Sequence, residues 1–324
     1  MKVNFYLMRN GVLKRKENTV YFVNQDERFL LPVHKIHSIY CYGRVTITSG
    51  IISYLAKQGI TLHFFNYYGY YEGSFYPRES LVSGDVVVRQ AEHYLKPEKR
   101  LALAKEIIRG MAWNIKKNLK YYKVKDGIKE FESWEDRIND VDNIQQLLNV
   151  EGNLWNAYYQ CYEEILPQQF KFEKRSRRPP GNMVNCLISF ANSLVYANVL
   201  SEIYNTQLNP AISFLHEPFA RRFSLSLDLS EIFKPFLGDR VIFKLLNKGM
   251  LTENHFDQDL NCCLLNDNGR RLFVQNFDNR LKTTIKHRTL GRKVSYQRLI
   301  RLECYKIVKH LLGTQEYKAF RMWW

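Results

Sequence analysis

The chain has 324 residues, 45% hydrophobic and 14% aromatic, enough for a substantial core and for two domains. Its formal charge of +16, with tyrosine and phenylalanine scattered among the lysines and arginines, favours a polyanionic partner, most simply nucleic acid. No apolar run approaches the ~20 residues that span a bilayer, and the opening MKVNFYLMRNG lacks a signal peptide's apolar core and cleavage site, so a cytoplasmic protein with no membrane partner is expected.

Residues 1 to about 80 read as β-rich. Val3, Phe5 and Leu7 alternate with polar neighbours, as do Ile36 to Tyr42 and Val45 to Thr48. Ser49 to Lys57 fits one short helix, Ile60 to Phe65 another strand, and Tyr67 to Gly73 a hairpin or loop. Alternation gives way to helical spacing near Ser83-Gly84-Asp85, which predicts a linker or interdomain strand at about 80–90. The fold class is therefore α+β: a small β-rich domain over 1–85, then a larger all-α-helical domain over 86–324.

In that second part the spacing predicts a long basic helix over Pro97 to Val124 and a polar connection or short helix over Lys125 to Asp140. The next helix, Val141 to Leu166, carries Ile144, Leu147, Leu148, Trp155, Tyr158 and Tyr162 as a stripe with Glu151 in its midst. A buried glutamate there is either a core salt bridge or a metal ligand or general base. The basic loop FKFEKRSRRPPG (170–181) cannot be a continuous helix because of Pro179 and Pro180; its Arg175, Arg177 and Arg178 suit phosphate binding. Asn182 to Tyr204 is strongly apolar and reads as the central helix of the second domain.

His216 follows the apolar run Ala211 to Leu215, with Arg221 and Arg222 just beyond. Asp228 and Glu231, three apart, share a helical face beside Leu225 and Ile232. Acids beside an apolar stripe need a positive partner. The segment Leu281 to Arg301 is strongly basic, with Lys282 and Arg288 as further candidate DNA contacts, and Ser295 starts a last helix to about Leu312. The tail, ending Trp323-Trp324, is aromatic, as in a docking segment. The six cysteines have no CxxC spacing and read as buried free thiols.

There is no glycine-rich phosphate loop, GxSxG or HExxH, which disfavours nucleotide hydrolysis and serine or zinc hydrolase chemistry. What remains is Glu151, His216 and Asp228. Carboxylate oxygens suit Mg²⁺, and an imidazole shifts preference toward Mn²⁺. In a basic protein such an ion points to phosphodiester chemistry, with basic loops holding the polyanion.

Several segments, in order, resemble one family: Gly11-Val12-Leu13-Lys14-Arg15, Leu31-Pro32-Val33, Val150-Glu151-Gly152, RSRRPPGNMVNCLISFANSLVY (175–196), FLHEP around His216, SLSLDLSEIFKP (224–235) and Leu290-Gly291-Arg292. The chain resembles the CRISPR-associated endonuclease/integrase of spacer acquisition, the first universal Cas protein, and its RRPP loop is similar to that of a branch linked to type I systems. Where many members have a tyrosine in the central helix, this chain has Asn192.

The resemblance implies a homodimer formed through the β domain and a metal held by Glu151, His216 and Asp228, with Glu231 in the second shell or an occasional ligand. It implies double-stranded, branched and CRISPR-repeat DNA as substrates, a small ferredoxin-like second universal Cas protein as partner, and strand transfer by the DNA's own 3′-hydroxyl. The rival readings are a DNA-binding scaffold without catalysis and a generic structure-selective nuclease on branched DNA.

Overall fold

The computed structural model describes residues 2–25, 27–78, 81, 83–170, 172, 174–176, 179–218, 223–259 and 262–324. The chain divides into two compact units, Met1–Ser80 and Leu81–Trp324.

In the first unit, one four-stranded sheet contains β1 (Val3–Leu7), β5 (Ile36–Cys41), β7 (Thr61–Phe65) and β8 (Tyr71–Phe75), in that order. Its β1–β5 and β5–β7 pairs are parallel, and β7–β8 is antiparallel. The other sheet runs β4 (Arg28–Leu31), β3 (Thr19–Val23), β2 (Gly11–Lys16), β6 (Val45–Thr46). Leu13, Val20 and Phe22 of the second sheet pack with Ile39 and Leu62 of the first and with Ile51 and Leu55 of α1 (Ser49–Lys57). Alternating side chains put one set of apolar residues on a single face of each strand, which fixes register. Gly43 permits a close crossing: a Cβ there would lie 2.2 Å from the Arg9 carbonyl oxygen.

The second unit is helical from the start. Where the sequence suggests a linker or interdomain strand, α2 (Gly84–Leu95) begins, its first turn capped by Ser83 Oγ accepting from Val86 N–H. An oxygen side chain just ahead of an amphipathic run is a helix-start signal that outweighs the valines as β-formers. There follow α3 (Pro97–Tyr121), α4 (Ile128–Asp136), α5 (Ile144–Gln160), the single turn α6 (Tyr162–Ile165) and α7 (Met183–Tyr204). Then come α8 (Ser224–Phe233), a π-helical stretch over Lys234–Asp239 and α9 (Arg240–Asn247). Two short hairpins, absent from the all-helical expectation, complete the unit: β9–β10 (Phe256–Asp259, Cys262–Leu265) precedes α10 (Asp267–Lys282), and β11–β12 (Thr284–Lys286, Lys293–Ser295) precedes α11 (Tyr296–Leu311). Strands of three or four residues offer too few alternations to read from sequence.

The central helix α7 is apolar all round and buried along most of its length. It is the one helix among the described residues long and apolar enough to cross a bilayer, and 78% of its most apolar stretch lies inside this unit. It packs on α8 and α11, and α3 also packs on α8. Asn114 and Asn118 of α3 donate to the Ile232 and Pro235 carbonyls at 3.0 and 2.8 Å, meeting backbone oxygens at the end of α8 and in the π-helical stretch. The aromatic tail docks on this body: Phe320 stacks on Phe233, and the Trp113 indole donates to the Met322 carbonyl. The cysteines are free thiols, five of them buried.

Candidate active site

The site is organised by the segment between α7 and α8. Its backbone turns sharply over Asn209 to Glu217, and side chains from α2 and α3 hold it. Gln90, fully buried, donates to the Asn209 and Ile212 carbonyls and accepts from Asn209 N–H. Arg100 donates to the Phe214 carbonyl at 2.8 Å and pairs with Glu217 at 2.7 Å. The α8 end is tied in through Leu225 N–H, which donates to the Pro210 carbonyl.

Asp228, 0% exposed on α8, receives that segment. Its Oδ2 accepts from Phe214 N–H (2.6 Å) and Leu215 N–H (2.9 Å), and its Oδ1 accepts from His216 N–H (3.0 Å) and pairs with His216 Nδ1 (2.8 Å). Four donors thus meet the two oxygens of this buried carboxylate. A proton on Nδ1, shared with Asp228, leaves His216 Nε2 as the free ring nitrogen. Burial works to lower the His216 pKa, but the bond to Asp228 and the charges of Asp228, Glu231 and Glu151 outweigh it and raise it above the ordinary value. All three acids therefore act on this imidazole.

Glu231 lies one turn along α8, 3% exposed. Its Oε2 accepts from the Trp155 indole N–H at 2.8 Å, and its Oε1 pairs with Lys234. Trp155 stands four residues after the half-buried Glu151 on α5, so both project from one face of that helix. The Lys234 ammonium also lies 5.5 Å from the centre of the Trp155 ring.

The structure thus joins His216 directly to Asp228, sets Glu231 one turn along α8, and lets the charges of Glu231 and Glu151 be felt at the imidazole. Gln90, Arg100, Trp155 and Lys234 complete the surroundings without having been singled out for the site by sequence; Trp155, at i+4 from Glu151, and Lys234, at i+3 from Glu231, carried a local signal. Among the described residues no group of three or more His, Cys, Asp or Glu side chains is placed so as to hold a metal ion.

The candidate DNA contacts separate. Arg175 turns inward: it donates to Asn185 Oδ1 (3.0 Å) and Ser189 Oγ (2.9 Å) on α7, folding the basic loop onto the helix. Asn185 also accepts from Ser176 N–H and donates to the Lys174 carbonyl. Lys282 pairs with Asp278. Arg288 is exposed, its guanidinium 5.4 Å from the centre of the Trp323 ring. Arg177, Arg178 and Arg222 lie outside the described residues.

A β-rich unit followed by a helical unit, with one imidazole set among three carboxylates of the helical unit, defines a class of candidate hydrolytic or transfer enzymes acting on a polyanion. The pattern of the family described as CRISPR associated protein Cas1 matches residues 5–279, and the chain belongs to that family. CRISPR-associated protein Cas1 1 of Methanobrevibacter ruminantium is 59% identical, the match covering 100% of this chain and 99% of that one. CRISPR-associated endonuclease Cas1 of Methanothermobacter thermautotrophicus is 52% identical over 99% of this chain and 95% of its own. The solved structure of a Cas1 protein from Thermotoga maritima superposes with a TM-score of 0.91 at 40% identity, covering 98% and 99% of the two chains. A casposase bound to integration product shares the fold, with a TM-score of 0.87 at 22% identity over 98% of this chain and 92% of that one.

Proposed function

We propose that this protein is a divalent-metal-dependent DNA endonuclease and integrase that inserts new spacers into a CRISPR array by 3′-hydroxyl attack on repeat DNA. The observation that carries the reading is His216: an imidazole fixed through Nδ1 by a fully buried aspartate, with Glu151 and Glu231 acting on it from two other positions. The relatives named CRISPR-associated endonuclease support the reaction class. A chain of similar fold, 16% identical, belongs to a Cas6-RT-Cas1–Cas2 complex, which accords with a small Cas partner here; this chain covers 36% of that one. A homodimer through the β unit, double-stranded and branched DNA substrates, and a cytoplasmic setting belong to the same proposal.

The donor chemistry fits Mg²⁺ or Mn²⁺, since oxygen ligands with one imidazole suit these ions. Glu151, His216 through Nε2 and an α8 carboxylate would hold the ion. Asp228 already spends both oxygens on residues 214–216, so its main work is to orient His216, as carboxylates behind metal-bound histidines commonly do. Glu231 is the other α8 carboxylate, reached once Lys234 gives it up. When bound, the ion would polarise a phosphoryl oxygen and acidify the attacking hydroxyl. The chain's own residues supply the rest: Asp228 keeps the Nδ1 proton in place, and Gln90 and Arg100 keep the His216 segment from shifting.

The test is cleavage and strand transfer on branched and repeat-containing DNA with Mn²⁺, Mg²⁺ or EDTA, for wild type and His216→Ala. Metal-dependent products lost in the variant support the site. Binding without metal-dependent product, even with the small Cas partner added, would favour the scaffold reading, in which Lys234 permanently takes the cation's place beside Glu231.

A further inference from the structure

From Asn279 to Leu302 the sequence holds eight lysines and arginines and no acid. Three of the eight are spent inside the helical unit. Arg280 donates to the Phe236 carbonyl at 2.6 Å, Lys282 pairs with Asp278, and Arg301 with Glu202. Four others, Lys286, Arg288, Arg292 and Lys293, crowd onto the β11–β12 hairpin, all exposed and none in an ion pair among the described residues.

The register makes this costly. Lys286 lies directly opposite Lys293, in a two-stranded sheet with no third strand. Opposed side chains start about 5 Å apart at Cβ, and like charges there destabilise the pair. The hairpin is nonetheless firmly built. His287 N–H donates to the Arg292 carbonyl at 2.9 Å, Gly291 N–H donates to the His287 carbonyl at 3.0 Å, and Gly291 takes φ +64°, which favours glycine. His287 Nδ1 accepts from the N–H groups of Thr289 and Leu290, both at 3.2 Å. Burial, then the Lys306 charge, lower the His287 pKa, consistent with a neutral ring accepting at Nδ1. Trp323 braces the turn edge-on to His287, and Val294 anchors the base, 6% exposed.

We infer that the β11–β12 hairpin is a preorganised phosphate clamp for duplex DNA, in which the opposed Lys286 and Lys293 each meet a backbone phosphate. A rigid ribbon that repels itself in the free protein gains from a polyanion twice: new charge-assisted contacts form, and the repulsion is relieved. A two-stranded ribbon also matches the width of a major groove. This rests on the DNA-acting reading above and adds to it an element outside the His216 site.

The measurement is binding of a short duplex in EDTA across a salt series, for wild type and K286Q/K293Q, with a melting curve for each protein. The double variant should bind more weakly, with a slope of log affinity against log salt shallower by about 2. It should also melt no lower than wild type, and up to about 2 °C higher. Unchanged affinity and slope in the variant overturn the clamp while leaving the DNA reading intact. Weaker binding together with a lower melting temperature assigns the lysines to the fold and equally overturns it. A wild type that binds no duplex overturns both readings together.

Discussion

The His216 site and the β11–β12 hairpin handle charge in opposite ways. Asp228 is fully buried, yet both its oxygens are satisfied by neighbouring N–H groups, and Glu231 is met by Lys234 and Trp155. On the hairpin, Lys286 and Lys293 face each other in water with no acid in the surrounding stretch of chain. A charge in the interior must be compensated before the fold can close. A surface charge is cheap enough in water to stay uncompensated until a ligand arrives. The interior acids are thus compensated within the chain, while the hairpin's lysines are left to water in the free protein.

The largest expected effect tests the interior half of that contrast. Glu151→Gln and His216→Ala should each lower metal-dependent cleavage by roughly 100-fold or more, with duplex binding kept within a few-fold. Loss of binding in proportion to cleavage would show that these residues shape the fold instead of the reaction. Lys234→Met comes next. It strands a nearly buried carboxylate, a change that costs about 3–5 kcal/mol. If Glu231 faces the ion, Mn²⁺ should raise the melting temperature of this variant more than that of wild type; equal shifts would remove Glu231 from the metal's surroundings.

Asp228 needs two substitutions to be read. Alanine leaves three backbone N–H groups of residues 214–216 without their acceptor, at about 1–3 kcal/mol for each one buried. Asparagine keeps one acceptor oxygen but loses the negative charge that holds the His216 ring. Asp228→Asn should thus stay folded and lose 10–100-fold in metal affinity. Should Asp228→Asn bind metal like wild type, the orienting role fails.

Much of this was legible in the sequence. Helical spacing placed α3, α7 and α11 within a residue or a few of their observed ends, because long amphipathic or apolar runs repeat their signal many times. Glu151, His216 and Asp228 stood out as an acid in an apolar stripe, a histidine after an apolar run and an acidic pair, and the structure bonds His216 to Asp228. That backbone N–H groups meet both oxygens of Asp228 was not legible. It depends on which backbone N–H groups the turn over Asn209 to Glu217 presents, and on Gln90 and Arg100, over a hundred residues away in sequence. Arg175 misled for a similar reason. A loop arginine reads as a phosphate ligand until Asn185 and Ser189, ten and fourteen positions on, prove to hold it.

The smallest effect concerns a buried acid that the chain leaves poorly compensated, and it sharpens the contrast from inside. Asp239, 2% exposed at the end of the π-helical stretch, has its carboxyl raised by burial to about 7, with Tyr162, Tyr158 and Lys234 working against the rise and Glu231 adding to it. Between its ordinary value near 4 and that raised value the folded state binds a proton the unfolded state has lost. Its contribution to stability is therefore full below about pH 4 and is lost as pH rises through about 7. Asp239→Asn removes this titration. The stability of the variant relative to wild type should grow by about 1.4 kcal/mol between pH 6 and pH 8, measured by denaturant unfolding at each pH. A difference that stays flat across this range would mean that Asp239 is ionised throughout, its charge fully met by Lys234 and the two tyrosines.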